Sequence, residues 1–173
     1  PREIVHYMCQ ESLIAYLATR FTDMDKTELE DFVRYGDLYL EYDSEILRRQ
    51  SEGVDPTRNY DDFQLPVSIR EKADKLDTAL SEVRVCDPAI GSGAFPVGMM
   101  TEIVRARRVL SLHMKQKHTT YDFKRETIQN CLYGVDIDPG AIEIAKLRLW
   151  LSLVVDEDNF DDIQALIACS RWR

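Results

Sequence analysis

The stretch that decides the fold of this chain runs Val83-Arg84-Val85-Cys86-Asp87-Pro88-Ala89-Ile90-Gly91-Ser92-Gly93-Ala94-Phe95. Its β-branched beginning predicts a short strand, the two glycines predict a tight turn, and the residues that follow predict a helix. A strand that turns through glycines into a helix brings free backbone N–H groups and the positive helix end to one point. At the carboxyl edge of a parallel sheet, such a turn typically holds the polar part of a nucleotide-like ligand.

Two familiar nucleotide sites do not fit this turn. A phosphate-binding P-loop needs Gly-Lys-Ser/Thr, whereas Gly93 is followed by Ala94. A dinucleotide fingerprint needs a third small residue where this chain has Pro96, and an acid about twenty residues further on. The best acid, Asp136, follows much later, so the sequence disfavours NAD.

Acidic residues follow both predicted strands. Asp87 would repel a pyrophosphate but would attract a ligand that carries a cationic amino group. Cys131-Leu132-Tyr133-Gly134-Val135-Asp136-Ile137-Asp138-Pro139 indicates a second buried strand that ends in an acid and is followed by a helix. Asp136 could accept hydrogen bonds from a ribose diol, and Ile137 could cover one face of an adenine. S-adenosylmethionine has all of these groups.

Three blocks of the chain resemble the DNA methyltransferases that modify exocyclic amino groups. Asp87–Phe95 is similar to their motif I, Gly134–Pro139 to motif II, and Pro1–Met8 to motif X. The order X, I, II is that of the group that methylates adenine. Together with the spacer Leu65–Arg70, the blocks look most like the methylation part of type II restriction–modification enzymes, in which one polypeptide can carry both activities.

The resemblance implies S-adenosylmethionine as cofactor and a Rossmann-like α/β fold with a doubly wound parallel sheet, here truncated, behind a helical N-terminal segment. Asp87 would face the cofactor's ammonium group, the turn would line its methionine part, Asp136 would bind the ribose, and Ile137 would cover the adenine. Pro1 would lie at the methionine end, although Pro1-Arg2-Glu3 is equally explained as a helix start. The implied cofactor-binding residues are Pro1, Asp87, Pro88, Ala89, Ile90, Gly91, Ser92, Gly93, Asp136 and Ile137.

The chain also departs from the family pattern. Ile90 replaces the commoner Cys of motif I, and motif X lacks the Thr that normally precedes Pro1. The catalytic Asn-Pro-Pro-Tyr/Phe motif is absent, because no Asn-Pro or Pro-Pro pair occurs in the 173 residues. That motif holds the flipped adenine beside the methyl donor. The resemblance therefore implies a cofactor-binding fragment without catalytic residues. The parent protein would bind DNA through a part that this chain lacks, with a possible fused or associated nuclease and DNA-recognition domain.

The net charge predicts that this chain alone binds DNA weakly. The formal net charge is −9, with 31 acidic against 22 basic residues, and affinity for duplex DNA comes from basic groups near phosphates. The one notable basic cluster is explained better as charge near the end of a helix than as a DNA-facing patch. Its members are Arg105, Arg107, Arg108, Lys115, Lys117 and His118.

Cysteine spacing and hydropathy indicate a cytoplasmic protein. Cys9, Cys86, Cys131 and Cys169 lie far apart without a Cys-x-x-Cys pair, so we expect reduced thiols and no metal site, with Cys86 and Cys131 buried in strands. No apolar run is long enough to span a bilayer, and no leader peptide opens the chain, so no membrane association is expected.

Helical periodicity is predicted over residues 2–19, 23–50, 67–81, 95–110, 120–130 and 139–155. We predict a helical N-terminal segment over residues 1–82 and the first half of a cofactor-binding α/β domain over residues 83–173. The helix over 139–155 is apolar on more than one face, which predicts burial on more than one side.

Two other functions remain open from the sequence. One is a methyltransferase that acts on a protein or a small molecule, against which the form of motif I and the presence of motif X argue. The other is a non-catalytic helical interaction module, which the acidic first eighty residues would suit.

Overall fold

The computed structural model describes residues 2–53, 64–115 and 118–155. Within these ranges the chain forms eight helices and two three-residue strands. In chain order they are α1 (Arg2–Arg20), α2 (Lys26–Arg34), α3 (Gly36–Ser51), α4 (Val67–Glu71), α5 (Ala73–Glu82), β1 (Val85–Asp87), α6 (Ala94–Ser111), α7 (Thr120–Asn130), β2 (Leu132–Gly134) and α8 (Pro139–Val154).

The predicted doubly wound, Rossmann-like α/β fold is wrong for the described residues. Helices make up most of these residues, and β1 and β2 form a two-stranded parallel sheet with no further strand beside them. The physical reason lies in the sequence, because only two runs have strand character and the remaining apolar residues recur at helical spacing. A sheet wound on both faces needs more strands than these residues supply.

Local predictions fared better than the global one. The helices over 2–19, 120–130 and 139–155 are confirmed as α1, α7 and α8, and both predicted strands are present in shortened form. The segment 23–50 is helical but is divided at Tyr35, and 67–81 forms the two helices α4 and α5. Short-range signals such as caps and apolar periodicity determine these elements, so they are visible without knowledge of the fold.

The core is built around α6. This helix packs against α1, α3, α5 and α7 and against both strands. Its buried positions, among them Met99, Met100, Ile103, Val104, Val109 and Leu110, follow the three-to-four-residue spacing of a helix that faces neighbours on several sides. Buried residues from both predicted segments join this core. Because the glycine turn leads directly into α6, the packing of α6 in the core also positions the turn. The boundary between residues 1–82 and 83–173 stays a prediction.

β2 lies between two helices whose N-termini are capped by side chains. The Thr119 hydroxyl accepts from the Asp122 N–H, and the Asp122 carboxylate accepts from the Thr119 N–H, so a capping box starts α7 on the way to β2. After β2, Oδ1 of Asp138 accepts from the Gly140 N–H, and Pro139 occupies the first turn of α8. These caps place α8 directly behind the acidic end of β2.

Three cysteines lie within the described residues, and all three are free thiols. Cys9 and Cys131 are buried, whereas Cys86 is exposed on β1, so the prediction that Cys86 is buried is wrong. Burial of Cys86 required a second layer against that face of the sheet, which the described residues do not provide. Cys169 lies outside the described residues.

None of the described helices combines the length and the apolar character that crossing a membrane requires.

Candidate functional site

The two acidic strand ends meet at one edge. β1 and β2 pair in parallel with Val85 opposite Leu132 and Asp87 opposite Gly134. Pairing continues past the strands, where the Val135 N–H donates to the Asp87 carbonyl and the Ile90 N–H donates to the Val135 carbonyl, each over 3.0 Å. Because parallel strands end at the same edge, the turn after β1 and the acid after β2 lie side by side. The predicted adjacency of these two strands is confirmed.

The glycine turn spans Pro88 to Gly93 and needs both glycines. Gly91 has φ +50° and Gly93 has φ +77°, a left-handed region that side chains rarely adopt. The Gly93 N–H donates to the Ile90 carbonyl over 2.9 Å. The Ile90 side chain is buried, so this position, occupied by Cys in the related motif, anchors the turn in the core as well as contributing its backbone.

Gly93 is also required by close packing against α8. A Cβ atom at Gly93 would lie 2.9 Å from the Cβ of Ala145 and 3.0 Å from its Cα. Gly91 differs in this respect, because a Cβ at that position would meet nothing within 4 Å. The space at Gly93 is therefore taken by a neighbouring helix, whereas the space at Gly91 is open.

Asp136 closes the site from the β2 side. Its Oδ2 accepts from the Gly91 N–H over 2.8 Å, and its Oδ1 accepts from the Asp138 N–H over 3.0 Å. The predicted approach of Gly91 and Asp136 is confirmed. The N–H groups of Asp138, Gly91 and Ile137 hold the pKa of the Asp136 carboxyl below its ordinary value. Since an ionised carboxylate offers about four lone-pair positions, it can accept further hydrogen bonds at this exposed edge.

Asp87 and Ile137 flank this carboxylate. Oδ1 of Asp87 accepts from the Ala89 N–H over 3.1 Å, and no described residue donates to its second oxygen. Ile137 is fully exposed although it is one of the most apolar residue types. The edge therefore combines carboxylate oxygens with one apolar side chain that contacts solvent.

Arg148 is a contact of the turn that sequence reasoning missed. Its Nη1 donates to the Ser92 carbonyl over 3.1 Å and to the Ser92 hydroxyl over 3.2 Å. Arg148 lies one helical turn beyond Ala145, so one face of α8 contacts both Ser92 and Gly93. Nothing in the spacing of charges along α8 distinguishes Arg148 from an ordinary surface cation.

The predicted motif X helix packs on α6 beside the turn. A Cβ at Gly98 would lie 3.0 Å from both the Cys9 sulfur and the Val5 Cγ1, which shows how closely α1 approaches α6. Burial, with a further contribution from the Glu102 charge, raises the pKa of the Cys9 thiol to about 12, so Cys9 is not a nucleophile at neutral pH. Pro1, the predicted cofactor contact of this block, lies outside the described residues.

A buried carboxylate joins α1 and α6. Oε1 of Glu102 lies 2.6 Å from Nδ1 of His6, and its Oε2 accepts from Arg105 over 2.6 Å. Burial raises the pKa of the Glu102 carboxyl against the opposing influence of Arg105 and His6. The contact with His6 joins α1 to the helix that carries the glycine turn, whereas Arg105 neighbours Glu102 on α6 itself.

Two members of the basic cluster, Arg105 and Arg107, pair with acidic side chains and do not form a DNA-facing patch. Arg105 contacts Glu102, Asp37 and the Val33 carbonyl, and Arg107 is buried in ion pairs with Asp77 and Glu126. Lys117 lies outside the described residues. Arg105 and Arg107 therefore stabilise helix packing and are not ordinary solvated charges near a helix end.

The comparisons with known proteins define the family. Residues 65–168 match the DNA-methyltransferase domain of the MmeI type, and the chain belongs to that family. The predicted resemblance to DNA methyltransferases of restriction–modification systems is thereby confirmed. No solved structure was found that matches the chain.

Two curated relatives are much longer than this chain. A protein of Methanocaldococcus jannaschii, provisionally described as a type II restriction enzyme and methyltransferase, is 30% identical over 158 residues, which cover 91% of this chain and 12% of that protein. DNA methyltransferase A of Bacillus subtilis is 27% identical over 93 residues, 54% of this chain and 10% of that protein. The chain spans about a tenth of the length of these relatives.

Proposed function

We propose that this chain is the S-adenosylmethionine-binding portion of a DNA methyltransferase that modifies the adenine amino group in a restriction–modification system, and that the parent protein acts in the cytoplasm. The observation that carries the proposal is the convergence of the glycine turn and Asp136 at one strand edge, joined by the 2.8 Å hydrogen bond from the Gly91 N–H. Family membership supports DNA as the substrate over a protein or a small molecule.

The residues at this edge suit the proposed cofactor. The second oxygen of Asp87 has no described donor and would accept a hydrogen bond from the ammonium group. The Asp136 carboxylate can accept further hydrogen bonds from ribose hydroxyls. Ile137 is an exposed apolar surface against which an adenine could lie. The same carboxylates disfavour a pyrophosphate, because its negative charge would be repelled by the charges of Asp87 and Asp136.

The chain's own residues would bind and orient the cofactor. Bound S-adenosylmethionine supplies an electrophilic methyl group on its sulfonium. Pro88, Ala89, Ile90, Ser92 and the two glycines would line its methionine part, and Pro1 at the start of motif X would lie nearby. Holding a donor in one orientation accelerates transfer mainly through alignment with the acceptor. The residues that hold the adenine are expected in another part of the parent protein, together with its DNA-recognition residues and any nuclease.

Asp136→Ala is expected to weaken binding of S-adenosylmethionine or its demethylated product about tenfold, because hydrogen bonds to a charged acceptor are lost. Isothermal titration calorimetry on the purified chain measures this change. Glu143→Ala is the matched control, because it removes an exposed carboxylate of α8 that pairs with Lys146 and does not contact the turn. Equal affinity for Asp136→Ala and wild type would refute the ribose assignment. Failure of a folded wild-type chain to bind the cofactor would favour a non-catalytic interaction module.

We further expect that the 173-residue chain alone does not methylate DNA. It lacks an Asn-Pro-Pro-aromatic element, and its net charge of −9 gives duplex DNA little electrostatic attraction. The measurement is incorporation of a labelled methyl group into mixed-sequence DNA at low salt, with a full-length enzyme as positive control. Incorporation above background by the isolated chain would show that catalytic residues lie within it.

A further inference from the structure

We propose that Arg148 is a positioning residue that holds the glycine turn in its ligand-binding conformation, an inference that rests on the proposed function of the same edge. The contact joins Nη1 of Arg148 to both the carbonyl and the hydroxyl of Ser92, at 3.1 Å and 3.2 Å. Ser92 lies between the two glycines with positive φ, at the centre of the turn.

The turn needs such support because glycine has unusual conformational freedom. Two glycines within three residues leave many backbone states open, and ordering them opposes binding. Fixed contacts restrict the turn at four other points: the Ala89 N–H at Asp87, the Ile90 N–H at the Val135 carbonyl, the Gly91 N–H at Asp136, and the Gly93 N–H at the Ile90 carbonyl. Each of these donors is a backbone N–H, and none of these contacts involves Ser92. The Ser92 carbonyl is held by a donor from another element.

Arg148 supplies that contact from a rigid element. It projects from the middle of α8, one turn after Ala145, which packs against Gly93. The helix therefore holds Ser92 by hydrogen bonds and Gly93 by packing. Because α8 begins directly after Asp136 and Asp138, it couples the turn to the acidic end of β2. A preformed turn binds its ligand more tightly because less ordering remains to be done on binding.

The test compares Arg148→Met with Lys146→Met. Both variants remove one positive charge from α8, but Lys146 pairs with Glu143 on its own helix and does not contact the turn. We expect Arg148→Met to weaken S-adenosylhomocysteine binding about tenfold, the loss of roughly one hydrogen bond to a charged donor. Lys146→Met should bind as the wild type does. Arg148→Lys, which keeps a donor and the charge, should recover part of the affinity.

Amide hydrogen exchange without ligand separates positioning from direct ligand contact. Arg148→Met should speed exchange at the hydrogen-bonded amides of Gly91 and Gly93, while exchange in α6 and α8 stays at the wild-type rate. Wild-type exchange in the turn of Arg148→Met would overturn the proposal, even if affinity fell, because Arg148 would then act on the ligand itself. Faster exchange together with unchanged affinity would also overturn it. If the wild-type chain bound no cofactor, the proposed function would fail, and the exchange experiment would still decide whether Arg148 orders the turn.

Discussion

Replacing Gly93 with valine is expected to lower the free energy of unfolding by about 2–6 kcal/mol and to abolish the candidate site. A β-branched residue at φ +77° is strained by about 1–3 kcal/mol. Its Cβ would also lie 2.9 Å from the Cβ of Ala145, and such overpacking adds about 1–3 kcal/mol. Relief of the collision requires α8 to move, and α8 starts immediately after Asp136 and Asp138. The loss of cofactor binding would therefore follow from displacement of α8 as well as from the altered turn.

Urea denaturation of the purified variants measures the loss of stability. Gly91→Val is the matched control, because Gly91 shares the positive φ but a Cβ there meets nothing within 4 Å. It should lose only the conformational part, about 1–3 kcal/mol. Adding Ala145→Gly to Gly93→Val should restore part of the lost stability, since it removes the nearest atom. Equal losses at Gly91 and Gly93, with no restoration, would contradict the packing argument.

The glycine turn shows how far sequence reasoning reached. The order of strand, acid, glycines and helix follows from local chemistry, and the pairing of Asp136 with Gly91 follows because both lie just beyond parallel strands. The reason for Gly93 could not be read in the same way. The sequence analysis explained both glycines by a tight turn that lines a ligand, whereas the structure shows that Gly93 is also required by its contact with Ala145, more than fifty residues further on.

The predicted fold was wrong because two strand–helix units do not determine a doubly wound sheet, whether it is inferred from their order or from the resemblance. Motifs I and II each predict one strand followed by a helix, and the structure contains these two units. No described residue supplies a third strand, and residues 2–53 contribute helices alone. The resemblance in the glycine turn and in the acid after β2 predicts the local strand and helix units. It does not determine how many strands the sheet contains.

Long-range polar contacts were beyond sequence reasoning altogether. The charge runs around Arg105 and Arg107 indicated solvent or DNA, yet both side chains are paired with residues from other parts of the chain. A guanidinium has the same sequence signature whether it is solvated or buried. Only the packing of α5, α6 and α7 decides which carboxylate it meets.

The buried ion pair of Asp77 and Arg107 gives the second large expected effect. Nε and Nη2 of Arg107 donate to the two carboxylate oxygens of Asp77 over 2.7 Å and 3.1 Å, and Glu126 lies 3.0 Å from Nη1. The guanidinium carbon also lies 4.5 Å from the centre of the Phe123 ring. Burial lowers the pKa of Arg107, but the hydrogen bonds and charges of Asp77 and Glu126 together outweigh it and leave a net raised pKa. The arginine is therefore charged in the core and depends on Asp77.

Asp77→Ala should lower the free energy of unfolding by about 3–5 kcal/mol, because it leaves a buried guanidinium without its main partner. Thermal and urea unfolding measure this loss. The double variant Asp77→Leu with Arg107→Met should be markedly more stable than Asp77→Ala, since removing both charges leaves no uncompensated ion in the core. A matched surface pair supplies the scale: Glu82→Ala, which breaks an exposed contact with Arg20, should lose less than about 1 kcal/mol. If Asp77→Ala were as mild as Glu82→Ala, Glu126 or solvent would compensate the Arg107 charge, and the dependence of Arg107 on Asp77 would be refuted.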